Sequence, residues 1–271
     1  MIVTDDVTAL GDLVAGSHVC WVLDEDGAYR ETAGPLLLDA SLRGQKAVLL
    51  GPANSGSFRE LSPAAAIAVD PFVAWLDRGP LLPDTVFAAL HELAALASTE
   101  GYDGLRVIAD MDWLLPTHAD RGTLAAFEVL LDRVLAEIGA TMICAYRRSS
   151  FDTDAIVGAL SVHPLRSGHA AAPQFSLLAR GDGSWRLAGE VDMAVLSAFA
   201  AAFGAAANAA PSLVVDVAEL EFIAVAGLRT IAEAARAGPV KVQLRGARRT
   251  LRRVWTHGTF DELAPSVDLV V

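Results

Sequence analysis

Residues 213–237 read LVVDVAELEFIAVAGLRTIAEAARA. Leu213-Val214-Val215 is an apolar run short enough for a buried strand, and Asp216 ends it. Phe222-Ile223 is a second apolar pair after a short connector. The spacing then turns helical, with Leu228, Ile231, Ala232 and Ala235 on one face. Gly227 stands where that helix begins. The stretch predicts a strand, a loop and a helix in that order.

The flanks extend the pattern. Upstream, Phe175-Ser176-Leu177-Leu178 and Ser184-Trp185-Arg186-Leu187-Ala188 enclose Arg180-Gly181-Asp182-Gly183. Asp-Gly between apolar runs is a hairpin signal. Leu196, Phe199, Ala200 and Phe203 predict a helix. Downstream, Val240-Lys241-Val242-Gln243-Leu244 predicts a strand, and Leu251, Val254 and Trp255 a last helix. This order resembles a STAS domain, the sulphate-transporter and anti-sigma-factor-antagonist module. Gly189-Glu190-Val191-Asp192 looks like that family's Gly-Glu-x-Asp turn. The family's central motif runs roughly Phe-Leu-Asp-Ser-Ser-Gly-Leu, and its first Ser is the phosphorylation site. Here the frame is Phe222-Ile223-Ala224-Val225-Ala226-Gly227-Leu228. Ala224 replaces the Asp, Val225 the acceptor Ser, and Ala226 the second Ser, so the resemblance implies a degenerate phospho-site. It also implies partner binding through Asp192, Gly227 and Arg229.

The chain has 271 residues, 53% of them hydrophobic, with a mean hydropathy of +0.40. That length favours two domains. No apolar run approaches the roughly 20 residues of a membrane span. MIVTDDVTAL at the N-terminus carries acids where a signal peptide carries bases. A soluble, cytoplasmic protein without a membrane role is the expectation. Cys20 and Cys144, the two cysteines, each sit in an apolar run and read as buried free thiols. Residues 1–170 hold 23 acidic and 11 basic side chains, whereas residues 171–271 hold 10 of each. An acidic N-terminal half disfavours non-specific nucleic-acid binding.

In that half, His18-Val19-Cys20-Trp21-Val22-Leu23, Ala47-Val48-Leu49-Leu50, Ala66-Ile67-Ala68-Val69, Leu105-Arg106-Val107-Ile108-Ala109 and Thr141-Met142-Ile143-Cys144-Ala145-Tyr146 read as strands. Helical spacings fall between them, among them Val86, Leu90, Leu93, Ala97 and the long series Leu124, Phe127, Leu131, Leu135, Ile138. The alternation predicts an α/β fold with a mainly parallel sheet and helices on both faces. His18-Val19-Cys20-Trp21, Gly104-Leu105-Arg106-Val107 with Asp110-Met111-Asp112-Trp113, Cys144-Ala145-Tyr146 and His163-Pro164 fall in the order of a MEDS domain. That is the methanogen/methylotroph sensory domain, related to RecA/KaiC-like sheets and found in front of signalling modules. The expected domains are 1–168, MEDS-like, and 169–271, a smaller STAS-like domain, with residues 163–174 as the linker.

Gly51-Pro52-Ala53-Asn54-Ser55-Gly56-Ser57-Phe58 has the glycine spacing of a P-loop after a strand. Ser57 and Phe58 stand where Lys and Ser/Thr are needed, so neither the phosphate-binding cation nor the magnesium ligand is present. Ligands of open α/β sheets bind outside the carboxyl ends of the strands. Asp110, Met111, Trp113 and Tyr146 map to that edge and, with His18, are the candidate small-molecule site; for Met111 and Trp113 an ordinary core position is the competing reading. His18 and Cys20 point to one face of a strand. With Cys144 and His163 they match the residue types of a Cys2His2 metal site, but His-x-Cys is not the usual C-x-x-C knuckle and no second compact pair is present, so the expectation is a hydrogen-bonded His with a buried Cys and no metal. No catalytic constellation is visible. Arg248-Arg249-Thr250-Leu251-Arg252-Arg253 reads as a solvated face or as a contact for an acidic surface.

These readings predict a non-enzymatic signalling protein. A sensory domain for an unidentified small molecule, with no cofactor assigned, would be coupled to a partner-binding STAS domain. The resemblance implies an anti-sigma factor of the kinase type, or another STAS protein, as partner, and allows a homo-oligomer. The alternative is a degenerate nucleotide-binding switch or RecA-like enzyme with a regulatory STAS tail.

Overall fold

The computed structural model describes residues 5–6, 10–24, 26–168, 172–237 and 240–270. Its first sheet has seven parallel strands: β1 (Asp5–Asp6), β2 (His18–Leu23), β3 (Gln45–Leu50), β4 (Ile67–Val69), β5 (Gly104–Asp110), β6 (Thr141–Arg147) and β7 (Leu165–Gly168). They lie in the order β1-β7-β2-β6-β5-β3-β4. The helices are α1 (Asp26–Leu42), α2 (Gly56–Leu61), α3 (Pro71–Ala74), α4 (Pro83–Thr99), α5 (Arg121–Ile138) and α6 (Thr153–Val162).

The sheet is covered on both faces, which is why β2 and β6 are buried at every position. Alternate residues sort cleanly. Val19, Trp21, Ile108, Ile143 and Ala145 pack with Tyr29 and Leu37 of α1. Cys20, Val22, Val107, Met142, Cys144 and Tyr146 pack with Leu90 of α4, Phe127, Leu131 and Leu135 of α5, and Leu160 of α6. The Asp120 side chain caps α5 by accepting from the Thr123 amide at 2.7 Å. Gly139 ends α5 in the left-handed region, at φ 65°.

The second sheet comprises β8 (Phe175–Ala179), β9 (Trp185–Val191), β10 (Ser212–Asp216), β11 (Leu220–Ile223), β12 (Lys241–Arg245) and β13 (Val267–Val270). β8 and β9 form the antiparallel hairpin, and the remaining pairings are parallel. Its helices are α7 (Leu196–Asn208), α8 (Val225–Ala237), α9 (Arg249–His257) and α10 (Phe260–Leu263). α8 opens directly after β11. Gly227 is required there, because a Cβ would stand 2.7 Å from Ile223 Cγ1 and 3.2 Å from Val191 Cγ1.

The two halves share apolar packing. Val129 of α5 and Val162 of α6 belong to the same buried cluster as Phe175, Phe199 and Phe203 of the second half. α5 lies along α7.

Several details differ from the sequence reading. Leu165–Gly168, assigned to the linker, is strand β7, paired in parallel with β2 and β1. Residues 169–171 of that linker lie outside the described residues. Gly189-Glu190-Val191 is the end of β9, and the turn starts at Asp192, whose carboxylate accepts from the Ala194 and Val195 amides. Among the described residues no helix is long and apolar enough to cross a membrane.

Candidate functional site

The carboxyl edge of the first sheet is occupied by the chain's own charges. Asp110 ends β5 and Arg147 ends β6 on the neighbouring strand. Arg147 donates to both Asp110 oxygens, the Nη2–Oδ2 bond measuring 2.8 Å, and both residues are buried. Arg147 also contacts Asp112 Oδ2 at 2.9 Å and lies over the Tyr29 ring. Ser150 donates to Asp112. Burial and the neighbouring Asp110 raise the Asp112 pKa above its ordinary value, against the pull of Arg147.

The Gly51 loop adjoins this pair. A Cβ on Gly51 would stand 3.1 Å from Asp110 Cβ and 3.2 Å from Phe58 Cδ2, so any larger residue there would press on both side chains. Ser55 caps α2 and accepts from the Phe58 amide. The Ala53 amide donates to Asp70 Oδ2 at 2.8 Å. A carboxylate of this chain thus holds a loop amide that a P-loop would turn to phosphate.

Met111 and Trp113 do not line that edge. Both are fully buried, and Trp113 meets Phe127 edge-on. The Asp110 carboxylate accepts from the Asp112 amide and starts a short 3-10 helix, residues 111–117, which folds both side chains into the core. They belong to the packing, in agreement with the competing reading.

His18 and Tyr146 also leave the edge. They point to the α5 face of the sheet and meet Glu128, which the sequence reading missed. Tyr146 Oη donates to Glu128 Oε1. His18 Nε2 lies 3.3 Å from Glu128 Oε2 and 3.4 Å from Cys144 Sγ. His18 Nδ1 lies 3.4 Å from Asp132 Oδ1. His163, just after α6, places Nε2 3.5 Å from Glu128 Oε2 and donates from Nδ1 to the Ala159 carbonyl at 2.7 Å. Its ring packs on His18 with centroids 3.9 Å apart. All are buried. Burial opposes charge on His18, yet Asp132 and Glu128 outweigh it and hold its pKa at about 9. Burial and the charge on His18 lower His163 to about 4. Burial opposes the Glu128 carboxylate, but the His163 and His18 imidazoles hold its pKa below the ordinary value. His18, Glu128, Cys144 and His163 each bring a ligating atom within 4.8 Å of the others. Cys20 is not of that group.

The degenerate phospho-site is at the surface. Val225 is the first residue of α8 and 56% exposed; Phe222 is 51% exposed. The Ala224 amide donates to the Val191 carbonyl, and Ala226 is partly exposed. Arg229 is exposed one turn along α8, whereas Gly227 is buried. Asp192 is partly buried and occupied by its turn. A groove of about 440 Å³ runs from Val225 between Thr250, Arg253, Val254, His257 and Phe260. A neighbouring hollow of about 270 Å³ adds Phe222, Leu228, Arg248 and Leu251. The arginine run therefore borders an apolar hollow, and Arg248 also donates to the Ala218 carbonyl.

The family comparison agrees with both halves. The family model of the methanogen/methylotroph, DcmR sensory domain matches residues 17–164, more than half of the chain. The model described as "Mlab, STAS domain" matches residues 179–265. No curated protein matches. Among solved structures the chain is similar to "The cytoplasmic domain of EssC", at 13% identity and a TM-score of 0.33 over 65% of this chain; it spans 37% of that structure's length. Sensory and STAS domains in one chain suggest a signalling or regulatory protein. The chain belongs to the methanogen/methylotroph sensory (MEDS) family and carries a STAS domain behind the sensory one.

Proposed function

We propose that the protein is a non-enzymatic cytoplasmic adaptor, in which the sensory domain governs a partner-binding STAS domain that phosphorylation does not control. The observation that carries this is the exposed start of α8. Phe222, Val225 and Val254 present apolar surface beside Thr250, Arg248 and Arg253. An exposed apolar centre rimmed by polar groups is what a transient protein interface requires. The hydroxyl through which a STAS domain is switched off is replaced by Val225, so control passes to the sensory half. The shared packing of Val129 and Val162 with the STAS core supports a mechanical connection between them. The partner is a kinase-type anti-sigma factor or another STAS protein, with acids facing the arginines. The opposing reading, a nucleotide switch, is weakened by the Asp110–Arg147 pair and by Asp70 on the loop amide.

Calorimetric titration of the full chain against candidate anti-sigma kinases and STAS proteins tests the reading. Val254→Asp, on the groove, is expected to weaken binding at least tenfold without changing the fold. ATP turnover by the purified chain, or a partner indifferent to Val254→Asp, counts against it.

A further inference from the structure

We propose that His18, Glu128, Cys144 and His163 form a closed, tetrahedral site for a divalent zinc-type cation inside the sensory domain. The spacing is the first argument. Zinc bonds N, O and S ligands at about 2.0–2.3 Å, so the corners of its tetrahedron lie roughly 3.3–3.8 Å apart. The separations His18 Nε2–Glu128 Oε2, His18 Nε2–Cys144 Sγ and His163 Nε2–Glu128 Oε2 are 3.3, 3.4 and 3.5 Å.

The outer partners are the second argument. A metal-bound imidazole ordinarily donates its remaining N–H to a carbonyl or carboxylate, and a ligating carboxylate is itself hydrogen-bonded. His163 Nδ1 donates to the Ala159 carbonyl, leaving Nε2 for the metal. Asp132 faces His18 Nδ1, leaving its Nε2. Tyr146 donates to Glu128 Oε1, leaving Oε2. Two of the ligands, His163 and Glu128, thus have one atom hydrogen-bonded, His18 has Asp132 beside its Nδ1, and the four ligating atoms lie within 4.8 Å of one another. Glu128 Oε2 and His163 Nε2 are buried and lie 3.5 Å apart, with His18 Nε2 3.3 Å from the carboxylate oxygen, and neither atom reaches hydrogen-bond geometry. Buried polar atoms left in that state are costly, and one cation satisfies both.

The donor set gives the metal class. One thiolate, two imidazoles and one carboxylate suit zinc and exclude the all-oxygen preference of magnesium or calcium. Thiolate and carboxylate together neutralise the dication. On binding, the Cys144 thiol proton and one His18 proton leave to solvent. All four positions come from the protein, so the ion is structural and activates no water. The ligands lie on β2, α5, β6 and the residue after α6, and the ion would clamp these four elements together.

The site is sealed, so the test loads it during folding. Full-length protein is unfolded with chelator and refolded in Zn2+ or Co2+. One ion per chain is expected by elemental analysis. The Co2+ form should show tetrahedral d–d absorption with a thiolate charge-transfer band, and Zn2+ X-ray absorption should show one sulfur neighbour. Asp132→Asn, which only orients His18, should fold and weaken Zn2+ binding about 10- to 100-fold. Cys144→Ser should lose the charge-transfer band. Wild-type chain that refolds in Zn2+ and takes up none, a Co2+ spectrum lacking the thiolate band, or stoichiometric metal retained by a folded Cys144→Ser, His163→Gln double variant overturns the proposal.

Discussion

Val162 packs into the hydrophobic core of the STAS half, while His163, the next residue, lays its ring on His18 in the sensory half. Glu128 and Val129 repeat the relationship on α5: the acid joins the histidines and the valine joins the second core. Two of the proposed metal ligands therefore adjoin residues of the domain interface. Metal-free chain, refolded in chelator, should exchange amide hydrogens faster in α5 and α6, and also in α7, which packs on α5. The β8–β9 hairpin should change less. Hydrogen-exchange mass spectrometry of both forms reads this. Identical α7 protection in the two forms removes the coupling.

The Asp110–Arg147 pair should behave as a buried ion pair. Arg147→Met leaves the Asp110 carboxylate buried beside Asp112 without its cation and is expected to cost about 3–5 kcal/mol. Adding Asp110→Asn removes one of the two carboxylates that Arg147 compensates and should recover part of that loss. Urea melts of the two single variants and the double variant close the cycle. Additive losses would show that the two side chains do not act as a pair.

Asp112 gives a pH dependence of defined sign. Its folded-state pKa stands above the ordinary 3.8, through burial first and Asp110 second. Between 3.8 and the raised value the folded chain holds the proton that the unfolded chain has lost, so this group's contribution to stability falls as pH rises through that window. At neutral pH ionised Asp112 is a net penalty, which Asp112→Asn removes. The variant should melt higher than wild type at pH 7, with the advantage shrinking towards pH 4. An advantage constant across that range, or a loss at pH 7, contradicts the assignment.

The parallel sheet and the STAS frame were legible because their signals are local: apolar runs, helical spacing, Asp-Gly at the hairpin. The elements that were not legible depend on distant partners. Leu165-Arg166-Ser167-Gly168 has no apolar run, and it is a strand because β2 offers it a free edge. Trp113 looked like an edge residue until the Asp110 cap folded residues 111–117 inward. Glu128 and Asp132 lie four apart beside the apolar series of α5, and the sequence reading gave them no role. Both are buried, because His18 and His163 arrive from β2 and the end of α6. Two acids one turn apart on the margin of a long apolar stripe were the available signal.

The STAS domain should resist phosphorylation at α8, and two substitutions should restore it. A phosphate there would bring about −1.5 to −2 charges to a helix N-terminus. The helix dipole tolerates that charge, but a partner fitted to the neutral apolar surface of Phe222 and Val225 would be repelled. Val225 has no hydroxyl, and neither has Ala226. Thr230, the nearest hydroxyl on the helix, donates to the Ala226 carbonyl at 3.1 Å, away from the exposed amides. Wild type incubated with anti-sigma kinases and ATP should gain no phosphate between Glu219 and Thr230. Val225 is exposed at the first position of α8, so a serine there would be open to a kinase. Ala224→Asp with Val225→Ser should therefore be labelled, and labelling should release the bound partner. Stoichiometric phosphate on wild type within that segment, accompanied by release, would defeat the view that control has passed to the sensory domain. A folded double variant that neither binds the kinase nor is labelled would place the divergence in the docking surface of α8 and α9 as well as in the missing hydroxyl.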